Sequence, residues 1–171
     1  MSLYYFGNCR TEAQRAEMER LDAAGICLFC PDILRAHEKQ QVLWETAHWM
    51  VTPNEFPYAG TRLHLLLIPK EHVTDLLDLS SASRADFWEV LASVRSEYGL
   101  SNYGLGSRNG DSRYTGGTIR HLHVHVLVGT GDEQNERDEW DERDARDGDD
   151  TAEAPPFTPV RMKFSSTPHR R

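Results

Sequence analysis

Eight residues, His121 to Val128, read His-Leu-His-Val-His-Val-Leu-Val, and they restrict the fold of this chain more than any other stretch. Polar and apolar residues alternate with a period of two, the pattern of a strand buried on one face, which turns Leu122, Val124 and Val126 toward a core. Three imidazoles then share the opposite face. Three cations in a row would repel one another, and three neutral rings each carry a donor and an acceptor that need partners. A solvent-facing strand gives no reason for such a row. A single metal ion gives none either: same-face neighbours on a strand stand about 6.6 Å apart, so His121 and His125 are separated by about 13 Å, while ligand distances lie near 2 Å. What fits is a polar reactive face, on which imidazole serves as nucleophile, proton carrier and phosphate donor.

The stretch resembles the histidine triad motif, His-φ-His-φ-His-φ-φ with φ apolar, of the histidine triad nucleotide hydrolases and transferases, and it matches at all seven positions. His48 to His72, HWMVTPNEFPYAGTRLHLLLIPKEH, is similar to the first half of that family, where a strand, an Asn-containing turn and a second strand ending in Ile-Pro-Lys-x-His precede a helix. The resemblance runs from about Cys27 to Gly129. It implies an α+β histidine triad fold, with an antiparallel sheet of about five strands, one long helix and a zinc knuckle. It also implies a nucleotide phosphoanhydride or phosphoramidate hydrolase that acts at the α-phosphorus through a nucleotidyl-histidine and releases a nucleoside monophosphate, purine nucleotides being the usual substrates.

By that resemblance the middle histidine, His123, is the nucleophile, and His125 contacts the phosphoryl oxygens or the leaving group. Charge building on a phosphoryl group is best met by prepositioned donors, and Gly116, Gly117 and Thr118 offer backbone amides and one hydroxyl immediately before the triad. Gly117 stands where many relatives carry Gln, which leaves the leaving-group contact open. Asn109, followed by Gly110, resembles the Asn of the family's Asn-x-Gly segment and is carried over as phosphate-binding. Asn54 in the PNEFPY turn matches a position near the nucleotide, while its local sequence equally suits a plain Asx turn. His64 reads as a structural residue on a sheet face, outside the site.

Cys27-Leu-Phe-Cys30 is open by itself between a redox pair and half of a zinc site. No strand-helix-strand pattern of a thiol oxidoreductase surrounds it. Relatives that carry this CxxC complete the site with the histidine of the Pro-Lys-x-His segment and the first triad histidine, which implies Cys27, Cys30, His72 and His121 as ligands of a structural zinc. Cys9 is left over without a role. A dithiol protein without metal remains the rival reading of the motif.

Along the chain, Thr11 to Ala24 reads as a helix capped by Thr11 and stopped at Gly25, in an N-terminal extension over residues 1–25 that packs outside the family core. The histidine triad domain spans 26–130. Within it, Gln41 to Thr52 and Leu63 to Pro69 read as an antiparallel pair, Ser80 to Tyr98 as the main helix, and Asn102 to Arg108 and Ile119 to Val128 as two further strands. An acidic insertion follows at 131–158, then an edge strand and tail at 159–171.

The net charge of −8 is all local: Asp132 to Asp150 holds eleven acids against three arginines, and the remainder balances sixteen against sixteen. That run lacks the apolar side chains needed to order itself, and reads as a flexible loop or tail, with a docking arm for a basic partner as the alternative. No apolar run approaches the ~20 residues of a membrane span, the start is not a secretory signal, and three cysteines are no disulfide framework. The expectation is a cytoplasmic protein whose partner is a small nucleotide, neither a nucleic-acid polymer nor a membrane. One major branch of the family implies a homodimer through the main helix and an adjoining strand. Two rivals stand beside hydrolysis: a dinucleoside polyphosphate phosphorylase or nucleotidyltransferase, and a non-catalytic nucleotide-binding regulator.

Overall fold

The computed structural model describes residues 2–130, so the acidic insertion at 131–158 and the edge strand and tail at 159–171 lie outside the described residues. Five strands, β1 Trp44–Glu45, β2 Trp49–Pro53, β3 Thr61–Pro69, β4 Gly104–Ser107 and β5 Val124–Gly129, form one sheet in the order β1-β2-β3-β5-β4. Every pairing is antiparallel. Helix α1 spans Glu12–Ala23, α2 Pro31–Ala36, α3 Ser81–Glu97 and α4 Ser112–Thr115. The α+β architecture with one long helix is the one expected.

Both faces of the sheet are covered, which is why the centre of β3, Leu-Leu-Leu-Ile, reads as a continuous apolar run. Leu65 and Leu67 of β3, with Trp49, Val51, Val124 and Val126, meet Val90, Leu91 and Val94 of α3 on one side. Met50, Leu66 and Ile68 point the other way and pack with Met18 and Leu21 of α1 and with Leu28 and Phe29. Register carries the triad onto this second side: Leu66 pairs with His125, and His64 with Leu127. The α1 helix is capped as expected, the Thr11 side chain accepting from Gln14 N at 3.0 Å. The main helix starts where Ser80 Oγ accepts from Ser83 N at 3.1 Å.

Three stretches differ from their sequence patterns, each for a local reason. Gln41 to Thr52 is not one strand, because Asp86 on α3 accepts from both Thr46 Oγ1 and His48 N at 2.7 Å and turns the chain between β1 and β2. The connection after β4 contains α4, capped by Asp111 and closed by Gly116 in the left-handed region at φ 76°, where a side chain would be strained. The fourth expected strand joins the ladder only at Val124. Ahead of it, Ile119 bridges to Tyr4, Arg120 N donates to Leu3 O at 2.8 Å and Leu122 N to Val73 O at 2.7 Å. Residues 119–122 are thus held by the N-terminal segment and a loop rather than by the sheet. No helix among the described residues is long and apolar enough to cross a membrane.

The short edge strand β1 is clipped down by charge. Glu45 receives Arg35 Nε and Nη2 at 2.7 and 2.8 Å and Lys70 Nζ at 2.8 Å. The Arg35 hydrogen bonds, then those of Lys70, hold its carboxyl down at about 2 from an ordinary 4.5. A depressed carboxyl contributes stability that is complete above its unfolded value and disappears as pH falls toward the folded one. Glu45→Gln is therefore expected to be less stable than the wild type at pH 7, with the difference shrinking from about pH 4.5 and vanishing near pH 2, as read by denaturant unfolding across that range.

Candidate active site

Folding brings the four expected ligand residues together. Cys27, Cys30, His72 and His121 present Sγ and ring-nitrogen atoms that all lie within 4.8 Å of one another, with His121 Nδ1 3.5 Å from Cys27 Sγ and His72 Nδ1 3.3 Å from Cys30 Sγ. Tetrahedral coordination at ordinary zinc distances puts such donors about 3.3 to 3.8 Å apart, so a small contraction closes the shell. The second ring nitrogen of His121 is 2.8 Å from Pro69 O, which makes Nε2 the protonated one and turns the Nδ1 lone pair to the thiols. Burial, followed by Cys30, pushes the Cys27 thiol up to about 12; a bound divalent cation reverses that by stabilising the thiolate. The donor set fits a metal.

The same backbone hydrogen-bond logic assigns the tautomers on the triad face. His123 Nδ1 stands 2.8 Å from the carbonyl of His121, so it carries the proton and Nε2 keeps a lone pair. For the neighbouring pair the deciding group is the backbone N–H of Tyr58, which donates to His64 Nδ1 at 3.1 Å. His64 must then be protonated at Nε2, which donates to His125 Nδ1 at 2.8 Å, and His125 in turn holds its proton on Nε2. That Nε2–H is buried and has no hydrogen-bond partner among the described residues. The Asn54 amide nitrogen, 3.3 and 3.0 Å from the two ring nitrogens of His64, singles out neither. The rings of His123 and His125 are 5.0 Å apart, a lone pair on one beside an N–H on the other.

One-proton rings require that all four histidines stay neutral, and their surroundings see to it. Burial first, then Arg10, lowers His64 to about 4; burial first lowers His121 and His123 to about 4, with Arg108 adding to the effect at His123. Burial lowers His125 further still, helped by His123, His64 and both arginines.

A groove opens over this face, and His123, His125, Asn54, Gly116, Gly117 and Thr118 all line it. Their groups are partly engaged. Gly116 N–H donates to Ser112 O at 3.1 Å, Thr118 Oγ1 to Asn8 O at 3.3 Å, and Asn54 Oδ1 accepts from Phe56 N at 3.0 Å, completing the Asx turn. Asn109 stands apart from the lining, its Oδ1 accepting from Leu76 N at 3.0 Å. Four residues that the sequence did not single out belong to the site. His64 orients His125; Arg108 and Tyr58 line the wall beside it; and Asn8 donates to Gly117 O at 2.8 Å and to Ser112 O at 3.0 Å, bracing the glycine turn from the N-terminal segment. A signal existed only for His64, which stands two residues before Leu66 and four before Ile68, on one face of an otherwise apolar strand.

With this geometry established, comparison with known proteins places the chain. A family model for the HIT domain matches residues 35–132, and the chain belongs to that family. Among curated proteins, an adenosine 5′-monophosphoramidase of Schizosaccharomyces pombe is 30% identical over 107 residues, 63% of this chain and 77% of that protein. An uncharacterised HIT-like protein of Chlamydia muridarum is 30% identical over 91 residues, 51% of this chain and 69% of its own length. A hypothetical protein from Leishmania major superposes with a TM-score of 0.53 at 25% identity, over 69% of this chain and 83% of that one. A histidine triad nucleotide-binding protein from Candida albicans shares the fold at 0.50 and 21%, over 70% and 90%.

The ring assignments can be read directly. Nitrogen-detected long-range NMR at pH 7 is expected to show His123 protonated at Nδ1 and both His64 and His125 at Nε2; the opposite tautomer at His125 would break the chain of donors drawn from Tyr58.

Proposed function

We propose that the chain cleaves nucleoside phosphoanhydrides or phosphoramidates at the α-phosphorus through a covalent nucleotidyl-His123 and releases a nucleoside monophosphate. The observation that carries this reading is the pairing of a nucleophilic nitrogen with a buried, unpartnered donor on the adjacent ring. His123 Nε2 forms a bond to phosphorus as the P–O or P–N bond breaks and its electron pair leaves with the departing group. The positive charge that develops on the ring is met at Nδ1–H by the His121 carbonyl. His125 Nε2–H donates to the phosphoryl or leaving-group atom, and regains its proton from the water that attacks in the second step. The monophosphoramidase activity named for the fission-yeast relative supports the reaction class.

In this reading Asn54 and the turn at Gly116, Gly117 and Thr118 bind a purine nucleotide, with the Gly117 and Thr118 amides facing phosphate. What Asn109 offers a phosphate is its amide nitrogen, since its oxygen is taken. The four-residue metal group holds zinc in a structural role: it joins the knuckle to the triad without using His123 or His125. Exposed Trp88 on α3 and Leu105 on the edge strand β4, 65% and 46% accessible, support a homodimer through that face. A small soluble nucleotide, rather than a polymer or a membrane, suits the narrow groove and a cytoplasmic location.

His123→Ala is expected to lower turnover of adenosine 5′-phosphoramidate by at least about a thousandfold while nucleotide binding persists, because the covalent route is lost but the groove is not. Turnover that survives this substitution would refute the assigned nucleophile. Elemental analysis of the purified protein is expected to give about one zinc per chain. Its removal by a strong chelator should lower the melting temperature and expose two reactive thiols. A metal-free protein whose Cys27 and Cys30 cycle as a dithiol would instead support the redox reading.

A further inference from the structure

We infer that Arg108, with Arg10 beside it, forms a cationic subsite for an anionic leaving group, so that this chain selects phosphoanhydrides over phosphoramidates. The inference rests on the reading of His123 as nucleophile and narrows its substrate.

Arg108 is the residue that follows β4, and only 8% of its surface is accessible. Its Nη2 donates to the Tyr58 hydroxyl at 2.9 Å and its Nη1 to the carbonyl of Thr115. The guanidinium of Arg10 lies over the ring of the same tyrosine, 4.7 Å from its centroid, and donates to Phe56 O at 2.7 Å. Tyr58 is therefore gripped at its edge by one guanidinium and on its face by the other, and its ring stacks on His125 at 5.5 Å. Two guanidinium groups thus converge beside the ring whose Nε2–H has no partner among the described residues. Among the described residues that line the groove, one carboxylate, Glu55, stands against them.

Gly117 belongs to this arrangement. A Cβ there would already touch Ser112 Oγ at 3.4 Å and the Arg108 Cδ at 3.7 Å, so any longer side chain would contend with the arginine stem for its space. A small residue at 117 and a buried arginine at 108 go together.

The chemistry of the two leaving groups separates them. When the P–O bond of an anhydride breaks, the electron pair stays on a phosphate that already bears negative charge, and fixed guanidinia stabilise it as it forms. When the P–N bond of a phosphoramidate breaks, the departing amine bears no negative charge; it must collect a proton, and nearby guanidinia do not help. Arginine also meets phosphate through a planar fork that lysine lacks.

The test measures kcat/KM for ADP, whose leaving group is inorganic phosphate, and for adenosine 5′-phosphoramidate, whose leaving group is ammonia. The wild type is expected to favour ADP. Arg108→Gln should lower the ADP value at least about tenfold more than the phosphoramidate value, with Arg108→Lys restoring part of that difference. Equal losses on both substrates, or no loss on ADP, would overturn the inference. Because removing a buried charge can unfold the chain, Arg10→Gln, at an exposed position, provides a second reading and should shift the same ratio by a smaller factor. Should the wild type turn over neither substrate, the His123 reading fails on its own. The subsite is then read by calorimetry in His123→Ala: ADP must bind more tightly than AMP, and Arg108→Gln must erase the difference. If the two nucleotides bind alike, no subsite exists.

Discussion

Residue 121 connects the Cys-Cys-His-His donor set to the triad face through two different atoms. Its ring nitrogen turns to Cys27 and Cys30, and its carbonyl oxygen receives the proton of His123 Nδ1. The direction of that carbonyl depends on where the ring is anchored, since both hang from one Cα held between the knuckle and Pro69 O. A hydrogen bond at 2.8 Å to a main-chain oxygen leaves the His123 ring with a defined tautomer and little freedom to rotate. A second route reinforces the first. Phe29 lies inside the Cys27–Cys30 loop, and its ring packs edge-on against His123 with centroids 5.2 Å apart. Disturbing the knuckle therefore reaches the reactive ring by packing as well as by hydrogen bonding.

The other half of the site depends on β-sheet register. His64 meets His125 because β3 and β5 pair with Leu66 opposite His125, which sets the two imidazoles diagonally on one face. A slip of one residue would send His64 to the α3 side and leave His125 with no partner at Nδ1. The apolar residues that alternate with these histidines hold the register: Leu65, Leu67, Val124 and Val126 are buried against α3 and cannot change faces without opening the core. The histidine face is thus specified by the apolar residues behind it.

How far the sequence could be read follows from the range over which each signal acts. The His-x-His-x-His alternation, the helical pattern from Ser80 to Tyr98 and the Thr11 cap are local, and the structure has the core face, α3 and α1 where those signals put them. The CxxC was open by itself between a redox pair and a metal site, and the partners His72 and His121 came from family resemblance, because nothing in the spacing alone joins residues more than forty positions apart. His64 was set aside as structural since a lone histidine in an apolar strand acquires its role only through its pairing partner. Arg10, Asn8 and Arg108 carried no motif at all. The break between β1 and β2 depends on Asp86 of a distant helix, and the late start of β5 on the N-terminal segment, both of them tertiary effects.

Residues 3–10 run beside the strip that leads into the triad, with Tyr4 bonded to Ile26 O and Leu28 N and Tyr5 N donating to Thr118 O. Residues 3–10 themselves fall outside the matched family segment, 35–132. The lead-in to the triad is consequently buttressed from outside that segment, through Tyr4 against Ile119, Tyr5 on Thr118 and Leu3 on Arg120. A change among the first ten residues is therefore felt at two places at once, the glycine turn that Asn8 braces and the backbone that delivers His121.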